Sequence, residues 1–230
     1  QNTYLTYKNK NITLVDTAGI SKQGTKSKGL EKPGILKSLK SLDKADIALL
    51  VMDISEPITH QDAKIIQEIV DRHKSLVIIA NKWDLVEERN TKKWTEKIYN
   101  KLPFAAWAPI QFLSAKTGEK VNKILDLILI IADERQRQLS NSQCSKFLSH
   151  VVKLHKPAKG KGIKSPRIYE FTQTKHNPPA FAVRIGPNDD LHFSYLRFME
   201  NRLREKYGFI GTPIHISINK ERKSHTTYNE

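Results

Sequence analysis

The chain has 230 residues, a single cysteine (Cys144) and a formal net charge of +15. One cysteine excludes an intrachain disulfide, a disulfide-stapled scaffold and a thiolate metal cluster, and no apolar run is long enough for a spanning helix. The basic excess is uneven: residues 1–140 hold 23 Lys and Arg against 17 Asp and Glu, and residues 141–230 hold 16 against 7. Such an excess suits a polyanion, most often nucleic acid. It does not suit a membrane surface, because no basic amphipathic helix with an aromatic face stands out.

The opening residues, QNTYLTYKNK, are polar and unlike a signal peptide. Thr3–Lys8 (TYLTYK) and Asn11–Val15 (NITLV) read as a hairpin turned at Lys8–Asn11. A loop over 24–29 leads to a helix over 30–43, with Pro33 near its start and Leu36, Leu39 and Leu42 at helical spacing. Ile47–Met52 (IALLVM), Leu76–Ala80 (LVIIA) and Ile110–Leu113 are short apolar runs, the pattern of strands buried on both faces. Between them lie helices over Thr59–His73, with Ile65, Ile66, Ile69 and Val70 on one face, and over Thr91–Lys101. A long helix follows over Val121–Gln138. The alternation predicts an α/β fold, a mostly parallel sheet with helices on both faces. Ligands of such sheets sit at the carboxyl ends of the strands, here in the loops after Val15, Ala80 and Leu113.

The pattern changes near residue 139, dividing the chain into 1–139 and 140–230. Ser140–Leu154 reads as a helix that includes Cys144. The stretch from Lys156 to Pro166 (KPAKGKGIKSP) is an exposed basic loop, and Arg167–Thr174 and Ala180–Ile185 alternate like strands. A long helix over Asp189–Tyr207 and a strand over Ile214–Ile218 complete the order α-β-β-α-β, a small α+β sheet with helices on one face. His192, Ser194 and Tyr195 cannot share a helix face as a nucleophilic triad requires, so they read as capping and packing residues. The histidines show no ligand spacing, and no zinc site is expected.

Three motifs fall on three successive strand ends. Asp16-Thr17-Ala18-Gly19 follows NITLV. An aspartate there can hold Mg²⁺ through a water, and a glycine lets a backbone N–H approach a γ-phosphate where a Cβ would intrude. Asn81-Lys82-Trp83-Asp84 follows LVIIA. Asp84 can accept from the ring N–H and exocyclic amine of guanine, a donor pair that adenine lacks. Lys82 can lay its stem along the base, and Asn81 can tie neighbouring loops together. Ser114-Ala115-Lys116 follows IQFL, and backbone N–H groups in that turn can donate to the guanine carbonyl. Each motif alone reads equally as a turn or a helix start. All three, in order and each after a buried strand, point to a guanine nucleotide site.

These residues resemble the translation-factor class of P-loop GTPases. The resemblance implies a nucleotide site of Asp16, Thr17, Ala18, Gly19, Ile20, Asn81, Lys82, Trp83, Asp84, Ser114, Ala115 and Lys116, with Mg²⁺ held through water at Asp16. That class carries G-x-x-x-x-G-K-[ST] and a switch threonine before such a hairpin, and no match occurs in residues 1–230. On this resemblance the chain starts partway into a GTPase domain, and residues 1–230 alone are expected to be inactive. Ile20 stands where many GTPases carry glutamine to orient the attacking water. The catalytic residue is therefore unassigned, and hydrolysis has to use backbone groups, a monovalent cation or a partner.

The segment LHFSYLRFMENRLREKYGFIGTPIHISI (Leu191–Ile218) is similar to the KH-like domain that ends the Der (EngA) family of tandem-domain ribosome-assembly GTPases. DTAGI, NKWDLV, LPF (Leu102–Phe104), API (Ala108–Ile110) and NPPAF (Asn177–Phe181) carry the same resemblance. It implies the end of a second GTPase domain followed by the KH-like domain, with GTP/GDP and Mg²⁺ as ligands and potassium as a stimulant. It further implies the ribosomal large subunit and its RNA as partners, with no membrane or disulfide-linked partner, in a ribosome-associated cytoplasmic protein. KH domains clamp nucleic-acid backbone with a G-x-x-G loop between two helices. Here Gly208-Phe-Ile-Gly211 lies between the long helix and the last strand, and reads as a helix cap and turn. RNA contact is instead expected from Lys156, Lys159, Lys161, Lys164 and Arg167, and from Arg197, Arg202 and Arg204. The alternatives are an Era-type GTPase whose KH domain reads RNA and a non-catalytic ribosome- or RNA-binding module.

Overall fold

The strands and helices alternate as the apolar pattern requires. The computed structural model describes residues 2–16, 41–158 and 165–220. Thr17, Ala18, Gly19, Ile20, Lys159, Lys161, Lys164, the loop over 24–29 and most of the helix expected over 30–43 lie outside the described residues. The chain divides into two compact units, Gln1–Ala132 and Asp133–Glu230.

In the first unit, β1 (Asn2–Tyr7) and β2 (Lys10–Val15) form an antiparallel hairpin. Its two turn residues, Lys8 and Asn9, both have positive φ (46° and 61°), which matches the twist of the flanking strands. Three strands then pair in parallel in the order β3 (Ile47–Asp53), β4 (Ser75–Asn81), β5 (Ile110–Phe112). The connections carry α1 (His60–Asp71) and α2 (Thr91–Lys101), and α3 (Lys123–Arg135) follows β5. A Thr59/Asp62 capping box starts α1, and the Asn90 side chain caps α2.

The period-two alternation of β4 builds the core. Leu76, Ile78 and Ala80 face Ile66 and Ile69 of α1 and Ile98 of α2. Val77 and Ile79 face Ile131, Ile124 and Leu127 of α3. β4 is thus buried on both faces, as its continuous apolar run predicts. β3 departs from that expectation. Among the described residues it is an edge strand, and Val51 is 61% exposed. An apolar run at a sheet edge lacks the second neighbour whose side chains would cover it.

In the second unit, α4 (Asn141–Leu154) opens on a Ser140/Gln143 capping box, and β6 (Ile168–Lys175) pairs antiparallel with β7 (Ala180–Ile185). After α5 (Phe193–Tyr207), β8 (His215–Asn219) pairs parallel with β7. Cys144, Phe147 and Val151 of α4, Tyr195, Met199 and Leu203 of α5, and Phe171, Phe181 and Val183 of the sheet share one core. The Phe171 and Phe181 rings stack at 5.1 Å. α5 starts at Phe193 and not at Asp189, because Asp189 N–H donates to the Gly186 carbonyl and closes a turn (3.0 Å). His192 then caps the helix by accepting from Ser194 N–H, and the Tyr195 hydroxyl donates to the His155 carbonyl (2.8 Å). Burial pushes the Tyr195 phenol up to about 12.

Gly208 ends α5 at φ 91°, its N–H donating to the Arg204 carbonyl (2.9 Å). Phe209 follows at φ 65°, unusual for a bulky residue, with its ring fully buried and its N–H given to the Glu134 carboxylate. The G-x-x-G is therefore a cap and turn leading into β8. Arg204, expected as a free surface cation for RNA contact, is instead mostly buried. Its guanidinium is turned inward, donating to Glu200 (2.9 Å) and to the Phe209 and Thr212 carbonyls (2.8 and 2.9 Å). Its side chain is 14% exposed. The buried turn supplies carbonyls that need a donor, and Arg204 meets them.

Replacing Arg204 by Ala strands those acceptors and Glu200. The expected loss is roughly 3 kcal/mol of unfolding free energy, the order found for breaking a buried charged pair. It is read as a lower urea midpoint at unchanged slope. An unchanged midpoint would return Arg204 to the surface.

Candidate functional site

The three parallel strands end together, and their backbones lock the loops that follow. Asp53 and Asn81 are in register at the ends of β3 and β4. Ile54 N–H donates to the Asn81 carbonyl (3.0 Å), Leu113 N–H to Ala80 (3.1 Å) and Trp83 N–H to Leu113 (3.0 Å). The Asn81 side chain accepts from Ala115 N–H at 2.9 Å. It thereby ties the loop after β4 to the loop after β5, the role its position suggests.

Lys82 takes a left-handed conformation (φ 62°, ψ 35°), and a single 3-10 turn over Trp83–Leu85 follows. This reversal sends neighbouring side chains in different directions. Trp83 turns inward, 1% exposed, against Phe112 (4.6 Å) and Trp94 (6.3 Å). Its indole belongs to the core, so it offers a ligand at most its backbone. Asp84 stays at the mouth of the strand ends. The Ser114 hydroxyl holds its carboxyl below the usual range against the opposing effect of burial, with Lys116 and Arg89 adding positive charge. Its Oδ1 is nonetheless buried without a hydrogen-bond partner among the described residues. An ionised oxygen shielded from water and lacking a donor fits a ligand that brings N–H groups.

The loop after β5 is wound tightly. Gly118 N–H donates to the Ser114 carbonyl (2.9 Å), Ser114 N–H to the Glu119 carbonyl (3.1 Å) and Thr117 N–H to Ser114 Oγ (3.2 Å). Of the three backbone donors at Ser114, Ala115 and Lys116, two are engaged within the protein. Lys116 N–H is the one that remains among the described residues. Ser114 is fully buried, while Ala115 and Lys116 are exposed.

Two residues of this cluster escaped the sequence reading. Asp53 holds the Lys82 ammonium at 2.5 Å. Arg89 donates to the Asp84 carbonyl (3.0 Å) and reaches Glu119 (3.4 Å), bridging the two loops. Asp53 ends an apolar run just as Asp16 follows LV, which was the available signal. Arg89 lies in the charged stretch EERN, where nothing marks it out.

Asp16 follows β2 and is exposed, and among the described residues no hydrogen bond or ion pair joins it to the Asp84 cluster. No group of three or more His, Cys, Asp or Glu among them could hold a metal ion. Asp16 alone could meet Mg²⁺ only through water. In the second unit, Lys156, Arg167 and Arg197 are exposed. Arg167 and Arg184 both lie over the Tyr169 ring (5.3 and 5.4 Å), Arg197 lies over Phe193 (5.3 Å), and Arg202 is paired with Glu205. No helix among the described residues is long and apolar enough to cross a membrane.

Comparison with known proteins covers both units. Residues 1–134 match the elongation factor Tu GTP binding domain, and residues 138–219 match the KH-domain-like of EngA bacterial GTPase enzymes, C-terminal. The GTPase Der of Thermomicrobium roseum is 37% identical over 226 residues, covering 96% of this chain and 49% of that protein. The GTPase Der of Herpetosiphon aurantiacus is 38% identical over 231 residues, covering 98% and 50%. The chain thus spans about half the length of the curated relatives it matches. Among solved structures, Era in complex with MgGDPNP and nucleotides 1506–1542 of 16S ribosomal RNA is similar at a TM-score of 0.48 and 18% identity, covering 96% of this chain and 81% of that one. With a GTP-binding domain family matched over the first unit and the EngA KH-like family over the second, the chain belongs to the Der (EngA) family of GTPases.

Proposed function

We propose that the chain forms the guanine-reading part of a protein that binds and hydrolyses GTP during ribosome assembly, acting on the large subunit, with residues 140–230 as its KH-like domain. One observation carries the nucleotide part: the ionised Asp84, whose Oδ1 is buried with no donor among the described residues, at the strand ends of a GTPase-type sheet. Guanine brings adjacent ring N–H and amine donors to such a carboxylate, and adenine does not. In this reading Lys82 lies along the base, Asn81 braces the two loops, and Lys116 N–H donates to the guanine carbonyl. Asp16, Thr17, Ala18, Gly19 and Ile20 belong to the phosphate end, where bound Mg²⁺ would neutralise phosphate charge. Because Ile20 has no polar group to orient water, the reading includes stimulation by potassium. Ribosomal RNA is the partner that suits the basic excess of residues 141–230 and the loop carrying Lys156, Lys159, Lys161, Lys164 and Arg167. A cytoplasmic, ribosome-associated location follows from that partner.

Base choice tests the site. In the full-length protein, Asp84→Asn should shift preference from GTP to XTP, because the xanthine oxygen needs a donor where the guanine amine needed an acceptor. Competition binding of the two nucleotides measures it, and an unchanged preference for GTP would remove Asp84 from the base site.

Salt dependence tests the partner. Phosphate contacts release counterions, so each one lost lowers the salt slope of binding by about 0.7–0.9. Changing Lys156, Lys159, Lys161, Lys164 and Arg167 together to Gln should weaken association with ribosomal particles and flatten that slope, with guanine nucleotide affinity unchanged. Sedimentation across a salt series reads both quantities. Equal affinity and slope would make the loop a linker and put the RNA surface elsewhere.

A further inference from the structure

Lys82 stands two residues from the carboxylate that has to stay open for a base, and an ammonium that close is its natural competitor. A lysine that folded back onto Asp84 would fill the acceptor and blunt discrimination between bases. The structure sends it elsewhere. From its left-handed backbone, Lys82 extends to Asp53 Oδ2 on the neighbouring strand end, at 2.5 Å. Asp53 is itself fixed, since its Oδ1 accepts from Ser55 N–H (3.0 Å) and Ser55 Oγ (2.6 Å). The two oxygens divide the work, one anchored to its own loop and the other turned to the ammonium. The backbones at Asp53 and Asn81 are in parallel register, and Ile54 N–H donates to the Asn81 carbonyl (3.0 Å). The anchor point therefore cannot drift relative to Lys82. The Asp53 side chain is 19% exposed against 52% for Lys82, so the carboxylate is the sheltered and rigid member of the pair.

We infer that Asp53 is a positioning residue for guanine recognition: it draws the Lys82 ammonium across the strand ends, lays the lysine stem along the base site and keeps the charge off Asp84. The inference rests on the guanine reading of Asp84 proposed above. Burial would raise the Asp53 carboxyl, but the hydrogen bonds from Lys82 and Ser55 outweigh it and the net shift is downward, so the residue is ionised at neutral pH. Asp53→Asn is the informative change. It is isosteric and keeps an acceptor for Ser55, and it removes only the charge that faces Lys82.

In the full-length protein, Asp53→Asn should weaken GDP binding about tenfold, the scale of one charge-assisted contact. The loss should appear as faster dissociation of a fluorescent GDP, together with a smaller preference for GDP over inosine diphosphate, which lacks the amine that Asp84 reads. Asp53→Glu, which keeps the charge, should retain most of the affinity. In a Lys82→Met background, Asp53→Asn should add nothing further, because the partner it positions is gone. Equal losses with and without Lys82 would mean that Asp53 only supports the fold, and unchanged dissociation would mean that it has no part; either result overturns the inference. The wild type separates the two readings. If it does not prefer GDP to ADP, the guanine site itself is wrong. If it does prefer GDP and Asp53→Asn changes nothing, only the positioning role is lost.

Discussion

Asp84 carries its charge on a carboxylate whose Oδ1 is buried and, among the described residues, has no donor to meet it. Burial by itself pushes a carboxyl toward the neutral form, which could donate a hydrogen bond and would no longer be a pure acceptor. Here the Ser114 hydroxyl, helped by the charges of Lys116 and Arg89, outweighs burial and keeps the group ionised. A charged oxygen held short of a donor is unfavourable in the free protein. It persists only if the surrounding backbone cannot rearrange to satisfy it. The rest of the first unit supplies that rigidity.

The rigidity begins in β4. With Leu76, Ile78 and Ala80 packed on one face and Val77 and Ile79 on the other, a register slip of one residue would exchange the two sets between unlike cores. Fixed register at Ala80 and Asn81 fixes the ends of β3 and β5 through the Ile54 and Leu113 hydrogen bonds. Asn81 then extends the constraint beyond the sheet to Ala115, and Arg89 closes the far side by joining the Asp84 carbonyl to Glu119. Site geometry is inherited from core packing through a chain of short contacts, each between residues on adjacent strands or loops.

This separation explains what was legible in advance. Buried strands show as apolar runs, and the residues after them are confined to the strand ends, so Asn81, Asp84 and Ser114 could be placed at one end of the sheet from the alternation. Side-chain direction was not legible where the backbone departs from regular structure. Trp83 lies between two site residues, yet the positive φ at Lys82 and the turn that follows send its ring into the core. Asp53 read as the last letter of a strand, because its importance lies in register with Asn81, which no local pattern encodes. The exposure of Val51 was hidden for a related reason: a sequence reports how apolar a strand is, but not that β3 has, among the described residues, a neighbour on one side only.

The same distinction governs the charge of the second unit. Arg184 is matched by Glu170, Arg202 by Glu205, Arg204 by Glu200 and Lys220 by Asp190. These pairs are locally neutral and hold side chains in place. They contribute little long-range field. Among the described residues, the surplus positive charge therefore resides in side chains that the fold leaves in water. On α4, Lys146, His150 and Lys153 are exposed and recur at i, i+4 and i+7, while Cys144, Phe147 and Val151 face the core. One face of the helix thus carries Lys146 and Lys153, and the next exposed lysine in the chain is Lys156. Net charge counts paired and unpaired cations alike, but the pairs with Glu170, Glu205, Glu200 and Asp190 take four of them out of the surplus. A polyanion near this unit would feel the exposed Lys146, Lys153 and Lys156 more than the cations neutralised in pairs.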